Sequence, residues 1–219
     1  MANTPKTPDK TVQEQIPEVK LGDCHILILD ASSSCTGYAI LKTDFVNKKA
    51  SLTKAGCVWF DDNWGHGRKY DYMYTMLQDH FWIVEQIDHI IAEQYSINTK
   101  KMSGALVSPE LHGVIKAAAY SNGVEVSLML PQTWRAQLGI KPVITGTGKK
   151  KKKDYKTPTA EIVTKTVNLP VKIISNITKN ERQLPNDVTD AIAIAIAWAK
   201  KNGITITDTN CTFNDYVGA

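Results

Sequence analysis

The sequence predicts an α/β fold built on a mixed β-sheet with helices on its faces. Apolar, β-branched runs alternate with amphipathic or alanine-rich segments along most of the 219 residues, and turn-forming residues separate them. Three strand-like runs come first and a strand, helix, strand order follows, which predicts a three-strand meander plus parallel strands. At this length, one domain with a substantial core is expected.

The meander is predicted in the first third of the chain. His25–Asp30 is an apolar run that ends in an aspartate, a turn-prone segment follows it, and Tyr38–Leu41 is a second strand-like run. Ser51–Phe60 carries the β-branched and aromatic residues of a third strand.

The middle of the chain predicts alternating helices and strands. Apolar residues recur at three- and four-residue spacing over Lys69–Ile87, as in an amphipathic helix, and the run 87–95 reads as a buried strand. Ser108 begins a Ser-Pro-Glu helix start, so a helix is expected from there to about Ser121, with a further strand over 124–130.

The last third predicts a loop and two helices. The lysine-rich segment 141–157 is expected to be a loop, and Thr159–Val167 a helix. The alternating AIAIAIAWA run is assigned to a helix that begins near Asn186, because alanine is the best helix former. The predicted organisation is a flexible N-terminal arm (1–22), one folded domain (23–203) and a C-terminal tail (204–219) without an assigned function.

Charge and cysteine usage narrow the function classes. Residues 141–156 hold seven lysines and one aspartate, a net charge of +6, so the rest of the chain sums to −2. Such a segment favours a polyanionic partner, the alternative being a solvated loop. The four cysteines form no CxxC pair, which argues against a zinc knuckle. No apolar run approaches the roughly 20 residues of a membrane span, so a cytoplasmic protein without membrane contact is expected.

Four carboxylates are the candidate catalytic and metal-binding residues. Asp30 ends the first strand, Glu93 ends the strand of the segment HIIAE, and Asp187 and Asp190 share one face at the start of the last helix. Four converging carboxylates repel one another unless cations compensate them, and oxygen ligands suit Mg²⁺. Two such ions would serve phosphodiester hydrolysis. Each acid also has a structural alternative, as a turn cap, a solvated strand end or a helix N-terminal acid.

Three segments carry a resemblance to a known family. LDASSSCTGYAI (29–40), the segment 88–119 around Glu93, and NDVTDAIAIAIAWA (186–199) resemble the first hairpin, the fourth strand with its following helix, and the closing helix of the RuvC family of Holliday-junction resolvases. The resemblance covers roughly Ile26 to Lys200, and its specificity lies in the order of the four acids. It implies the ribonuclease H-like fold.

The resemblance also implies an activity and a site. Asp30, Glu93, Asp187 and Asp190 would hold two Mg²⁺ ions, with Mn²⁺ able to substitute, and no small-molecule cofactor is expected. A fourth segment, TGTGKKKKKDYKTPTAEIV (145–163), resembles the family's glycine-pair, lysine and helix segment. It implies that Lys156 stabilises charge on the phosphate, the alternative being an ordinary surface lysine. The five consecutive lysines 149–153 look like an insertion relative to the family and would add contacts to backbone phosphates. The predicted DNA-binding residues are Lys149, Lys150, Lys151, Lys152, Lys153, Lys156, Tyr95, Lys100 and Lys101. A homodimer would make paired symmetric nicks in a four-way junction and leave 5′-phosphates, in a bacterial cell or a phage-infected host.

Two departures from the family pattern affect the details. Ser96 stands at the offset where the family often has an aromatic wedge, with Tyr95 beside it, so junction opening would use other residues. Pro109 falls inside the family's long dimer-interface helix, which predicts a kink or a late start.

Three rival functions stay open from the residues. A broader nuclease that cuts forks, flaps and Y-junctions suits the lysine-rich chain. The LDASSSCTG segment also resembles the phosphate-binding hairpin of sugar-kinase and actin-like phosphotransferases, but these need a second glycine-rich loop and about twice this length. A non-catalytic junction-binding protein would not require all four acids. Trp64, in a glycine-containing loop, is a candidate for stacking on bases.

Overall fold

The computed structural model describes residues 23–95, 107–146, 151–167, 169, 172–174, 179–208 and 210–218. The predicted N-terminal arm lies outside these residues. The strands are β1 Asp23–Ala31, β2 Cys35–Asp44, β3 Lys49–Trp59, β4 His89–Glu93, β5 Glu125–Met129, β6 Val143–Thr145, β7 Lys152–Asp154, β8 Lys172–Ile174, β9 Glu181–Gln183, β10 Thr205–Asp208, β11 Thr212–Phe213 and β12 Tyr216–Val217. The helices are α1 His66–Thr75, α2 Val107–Ser121, α3 Pro131–Leu138, α4 Lys156–Val167 and α5 Asn186–Lys201.

The main sheet confirms the predicted mixed topology. Its order is β10-β3-β2-β1-β4-β5, in which β1, β2 and β3 form the antiparallel meander and β4 and β5 run parallel to β1. The strand β1 is central, and the apolar run before Asp30 is buried on both faces, as expected for a strand that helices cover on two sides.

The core has two layers, one on each side of this sheet. Ile26 and Ile28 face the layer formed with α3, α4 and α5, whereas Leu27 and Leu29 face the layer formed with α1 and α2. Because side chains alternate along a strand, Asp30 continues the row of Ile26 and Ile28. The end of β1 therefore directs its carboxylate towards α3, α4 and α5.

Helix α5 confirms the prediction for the alanine-isoleucine run. All nine residues from Ala191 to Ala199 are buried, so the helix is apolar on every side and lies inside the molecule. It crosses β2 very closely at Gly37, where an added Cβ would lie 2.1 Å from the backbone oxygen of Asp187. A glycine at this position lets the start of α5 approach the sheet.

Several elements differ in detail from the sequence prediction. The helix expected over Lys69–Ile87 begins at His66 and continues after Thr75 as a π-helical segment, Met76–Trp82. Ser108 lies within the first turn of α2 instead of preceding it, and its hydroxyl donates to the Ala31 carbonyl at 3.4 Å.

The lysine-rich segment and the tail carry more structure than the sequence indicated. The segment 141–157 contains the antiparallel hairpin of β6 and β7 and the first residues of α4. In the tail, β10, β11 and β12 all pair in parallel with β3. No helix within the described part of the chain is long and apolar enough to cross a membrane.

Candidate active site

Two neighbouring parallel strands bring Asp30 and Glu93 side by side. Leu29 pairs with Ala92 between β1 and β4, so the two acids are the next residues of both strands and lie on the same face. Both side chains are half-buried. The carboxyl ends of β1 and β4 therefore form one acidic edge of the sheet.

The start of α5 brings the other two acids to the same edge. Asp187 and Asp190 are half-buried in its first two turns, and the close crossing at Gly37 places this end of the helix against β2, next to Asp30 in the pairing register. The four acids singled out in the sequence therefore lie within electrostatic reach of one another.

The pKa values of three acids record this proximity. Burial raises the pKa of Asp30 well above its usual value, and the charges of Glu93, Asp190 and Asp187 raise it further. Burial, with Glu93 and Asp187, raises the pKa of Asp190 to about 7. Burial also raises the pKa of Glu93. Removing water and crowding like charges both disfavour the ionised form.

Hydrogen bonds orient two of the carboxylates. The indole Nε1 of Trp134, a fully buried side chain of α3, donates to Glu93 Oε2 at 2.8 Å. The Cys35 thiol donates to Asp187 Oδ2 at 2.8 Å, and its sulfur lies 3.5 Å from that of Cys57. The Cys35 thiol is hydrogen-bonded and buried, which raises its pKa and keeps it protonated as a donor.

Arg135 is the basic side chain that most affects the acids. Its positive charge opposes the pKa increases of Asp30, Glu93 and Asp190. Neither Arg135 nor Trp134 is singled out by the sequence as a site residue. The sequence does carry a signal for the short helix α3 that holds both residues, since Pro131 marks its start and Gly139 its end. Gly139 adopts the left-handed conformation there.

Lys156 lies close enough to Asp190 for its charge to act on that carboxyl. It is the exposed first residue of α4, and its charge lowers the pKa of Asp190 against the larger effect of burial. Asp154 caps this helix by accepting hydrogen bonds from the Lys156 backbone N–H at 2.8 Å and the Thr157 hydroxyl at 2.7 Å. Because Asp154 is the last residue of β7 and Lys156 is the first residue of α4, this cap holds the start of α4 against the β6–β7 hairpin.

The remaining predicted DNA-binding residues divide into two groups. Lys151, Lys152 and Lys153 are exposed at the hairpin, whereas Tyr95 is half-buried, with its ring 5.0 Å from that of His112. The other predicted residues lie outside the described part of the chain, namely Lys100, Lys101, Lys149 and Lys150.

Trp64, the other aromatic candidate, is engaged in packing. Its ring lies 4.3 Å from the Arg68 guanidinium and 5.5 Å from the ring of Tyr72. A Cβ added at Gly218 would lie 1.7 Å from it, so the C-terminal segment covers one side of the ring. These packing contacts account for the position of the Trp64 ring, so stacking on DNA bases is not needed to explain it.

The donor set fits a hard divalent cation in its chemistry. All four predicted ligands are carboxylates, and neighbouring acids disfavour the ionised forms of Asp30, Glu93 and Asp190, an effect that a cation would offset. Within the described residues, no three Asp, Glu, His or Cys side chains are already arranged to hold a metal ion. The acids are thus near one another but are not arranged as a coordination shell.

The sequence profile of the family described as crossover junction endodeoxyribonuclease RuvC matches residues 26–198. By sequence comparison alone, no curated protein matches the chain.

Solved structures share the fold at low sequence identity. The T. thermophilus RuvC in complex with a Holliday junction substrate has a TM-score of 0.58 and 15% identity, over 80% of this chain and 93% of that one. The yeast mitochondrial Holliday junction resolvase Ydc2 has a TM-score of 0.55 and 11% identity, over 83% and 80%. The fowlpox virus resolvase with its Holliday junction DNA has a TM-score of 0.51 and 13% identity, over 81% and 97%.

Proposed function

The chain belongs to the RuvC family of crossover junction endodeoxyribonucleases, and from that membership we propose that it resolves four-way DNA junctions with Asp30, Glu93, Asp187 and Asp190 as its metal ligands. The observation that carries the site assignment is the electrostatic coupling of Asp30 to the other three acids. These residues come from two strands and one helix, and a shared functional site is a physical reason for keeping four charges together at a cost in repulsion.

Mg²⁺ is the proposed ion, two per site, with Mn²⁺ as a substitute. When bound, the ions would supply a nucleophilic water at neutral pH and stabilise the leaving oxygen of the phosphodiester. Attack on phosphorus with loss of the 3′ oxygen yields a 3′-hydroxyl and a 5′-phosphate. The four carboxylates must be ionised to bind these ions, so the environment of each acid matters for activity.

The chain's own residues prepare the acids for this role. Trp134 fixes the orientation of Glu93, and its hydrogen bond lowers the pKa of that carboxyl against the effect of burial. The Cys35 thiol donates a hydrogen bond to Asp187 Oδ2 and so restrains that carboxylate. Hydrogen bonds from such supporting residues typically hold metal ligands in place and tune their affinity.

The basic side chains beside the site would hold the DNA backbone. We assign phosphate contacts to Lys156 and to Lys151, Lys152 and Lys153 of the hairpin, all of which are exposed. Lys149 and Lys150 belong to the same proposal on the sequence alone. Such contacts position a duplex arm and do not read its sequence.

A homodimer would suit this substrate, because a four-way junction offers two equivalent strands to cut. An open groove of about 840 Å³ supports an interface beside α2. Its lining includes Lys116, Tyr120, Val126 and Leu128, and Tyr120 is 87% exposed. The edge strand β5, which is half-buried along its middle, forms one wall of this groove. Molar mass measured by light scattering would test the dimer, with Tyr120→Glu expected to yield monomers.

The activity is tested with a synthetic mobile junction and mapped nicks. Paired symmetric nicks in Mg²⁺, and none in EDTA, are expected from the wild-type protein. The variants Asp30→Asn and Asp190→Asn should lose cleavage while they still shift the junction in a gel. Cutting by either variant in Mg²⁺ would refute the site assignment. Three-way, forked and linear substrates measure selectivity, and comparable cutting of linear duplex would exclude the selective function.

A further inference from the structure

The β6–β7 hairpin exposes two large apolar side chains to solvent. The two strands form a sheet of their own, and all three residues of β6 are exposed. Val143 is 49% exposed and Ile144 is 53% exposed. A two-stranded hairpin gains little from burial in water, and threonine would supply the same β-branched shape with less exposed apolar surface. Strand formation alone therefore does not require an isoleucine or a valine here.

The two apolar side chains lie on opposite faces of the hairpin. Side chains alternate along a strand, and residues that are directly paired across two strands share a face. Ile144 is paired with the exposed Lys153, whereas Val143 is paired with Asp154. The carboxylate of Asp154 caps α4 by accepting from the Lys156 backbone N–H at 2.8 Å. One face therefore combines an apolar side chain with a cation, and the other carries a carboxylate that repels phosphate.

The chain keeps the Ile144 face close to the acids. Lys153 and Lys156 are three positions apart, and an extended chain covers at most about 3.5 Å per residue, so they lie within about 11 Å of each other. The charge of Lys156 in turn acts on Asp190. Successive nucleotides of a DNA strand are about 3.4 Å apart along the helix axis. The Ile144 face therefore lies within about three nucleotides of a phosphate held beside Lys156.

We propose that Ile144 is a wedge that inserts between neighbouring bases beside the cut and unstacks them, while Lys153 binds an adjacent backbone phosphate. This inference rests on the proposed function. Apolar side chains, isoleucine among them, unstack and kink DNA when they enter a base step. Unstacking costs least where base pairing is already interrupted, as it is at a branch point. The wedge would thus favour branched DNA over an intact duplex.

The first test measures base unstacking without cleavage. Four-way junctions that carry one 2-aminopurine at successive positions beside the mapped cut are saturated with protein in Ca²⁺. The wild-type protein should raise the fluorescence at one of these positions, because stacking quenches this base, and Ile144→Thr should lose the rise. Val143→Thr is the matched control, since it makes the same change on the opposite face of the same strand at a similar exposure. It should keep the rise.

The second test measures single-turnover cleavage in Mg²⁺ on two junctions. On a fully paired junction, Ile144→Thr should cut about tenfold more slowly than the wild type, because nothing then offsets the cost of unstacking a base step. On a junction with mismatched bases beside the cut, opening costs less, and the variant should cut at the wild-type rate. Val143→Thr should match the wild type on both. A defect in the acids would slow cleavage of both junctions.

The outcomes separate this inference from the proposed function. A full fluorescence rise with Ile144→Thr, an equal loss with Val143→Thr, or no rise with a wild-type protein that cuts normally would each overturn the inference. Equal slowing of Ile144→Thr on both junctions would do the same. Failure of the wild-type protein to cut any four-way junction would instead overturn the proposed function. If the threonine disturbs the hairpin, Ile144→Phe decides, because a larger apolar wedge should keep the rise and its loss would refute the wedge.

Discussion

Trp134 and Glu93 are joined by a 2.8 Å hydrogen bond from the indole Nε1 to Oε2. The donor is fully buried in α3, and the acceptor ends the parallel strand β4. Because the indole has a single donor and cannot rotate in the core, the bond fixes one carboxylate oxygen and leaves the other available. The bond therefore connects core packing to the orientation of a proposed metal ligand.

Replacing Trp134 with Phe tests that connection. The change keeps an aromatic ring but removes the donor, so Glu93 should bind Mg²⁺ less well, and the Mg²⁺ concentration for half-maximal cleavage should rise about tenfold. Single-turnover rates over a Mg²⁺ titration provide the measurement. Trp198→Phe, which removes another buried indole from α5, should leave that concentration unchanged. An unaltered Mg²⁺ dependence in Trp134→Phe would argue against an orienting role.

A second prediction concerns the contact between β2 and α5. Gly37→Ala would place a Cβ 2.1 Å from the backbone oxygen of Asp187, so the helix start must move away from the sheet. We expect a loss of about 1–3 kcal/mol in the free energy of unfolding, and a loss of cleavage in the fraction that is still folded, because Asp187 and Asp190 move from Asp30. Urea unfolding and single-turnover rates measure both effects.

The control for this variant is Gly67→Ala in α1, where an added Cβ meets nothing within 4 Å. It should retain both stability and cleavage. Full activity in folded Gly37→Ala would show that the close crossing is dispensable for the site.

A third prediction follows from the pKa of Asp190, which is raised from 3.8 to about 7. A carboxyl with a raised pKa in the folded state binds protons more tightly there than when unfolded. The protonated carboxyl of Asp190 is therefore compatible with the folded state below about pH 4, and this contribution to stability is lost as the pH rises to about 7 and the carboxyl ionises. Without metal, Asp190→Asn should thus be more stable than wild type at pH 8, by on the order of 1–4 kcal/mol, and similar to it at pH 4.

Mg²⁺ binding should offset the loss of stability that the ionised Asp190 carboxylate causes at high pH. Mg²⁺ offsets the repulsion only when the acids are ionised, so it should raise the Tm of the wild-type protein more at pH 8 than at pH 5. The same addition should have a smaller effect on Asp190→Asn. Thermal unfolding with and without Mg²⁺ at both pH values is the measurement. A Tm increase that does not depend on pH would contradict the assigned pKa.

A fourth prediction concerns the exposed lysines of the β6–β7 hairpin. Changing Lys151, Lys152 and Lys153 to Gln should weaken junction binding and reduce the slope of log Kd against log salt by up to about 3, since each phosphate contact contributes about 0.9. Fluorescence anisotropy at several salt concentrations measures this slope. The control changes three exposed lysines at the end of the meander that lies away from Asp30, namely Lys42, Lys48 and Lys49. It should leave the slope unchanged.

Local patterns in the chain were sufficient to predict the central elements. The apolar run before Asp30 and the alanine-rich run after Asp190 determine their backbone state by burial and helix propensity, and both form as predicted. The acids at the ends of these elements could be singled out, because a charged residue that ends a buried run is conspicuous in a sequence. The family resemblance was also visible there, because it depends on the order of these acids.

Only the tertiary structure decided which side chains surround the acids. Trp134 lies 41 positions from Glu93 in the chain, Cys35 lies 152 positions from Asp187, and the stacking of Arg135 on Tyr155 joins two separate elements. The strands from Thr205 onward likewise form against β3, because their short sequences of mixed polarity acquire strand structure from an edge that is already present. Periodicity reports the backbone conformation of a segment, but contacts between distant segments depend on how closely elements pack, and here that depends on positions such as Gly37.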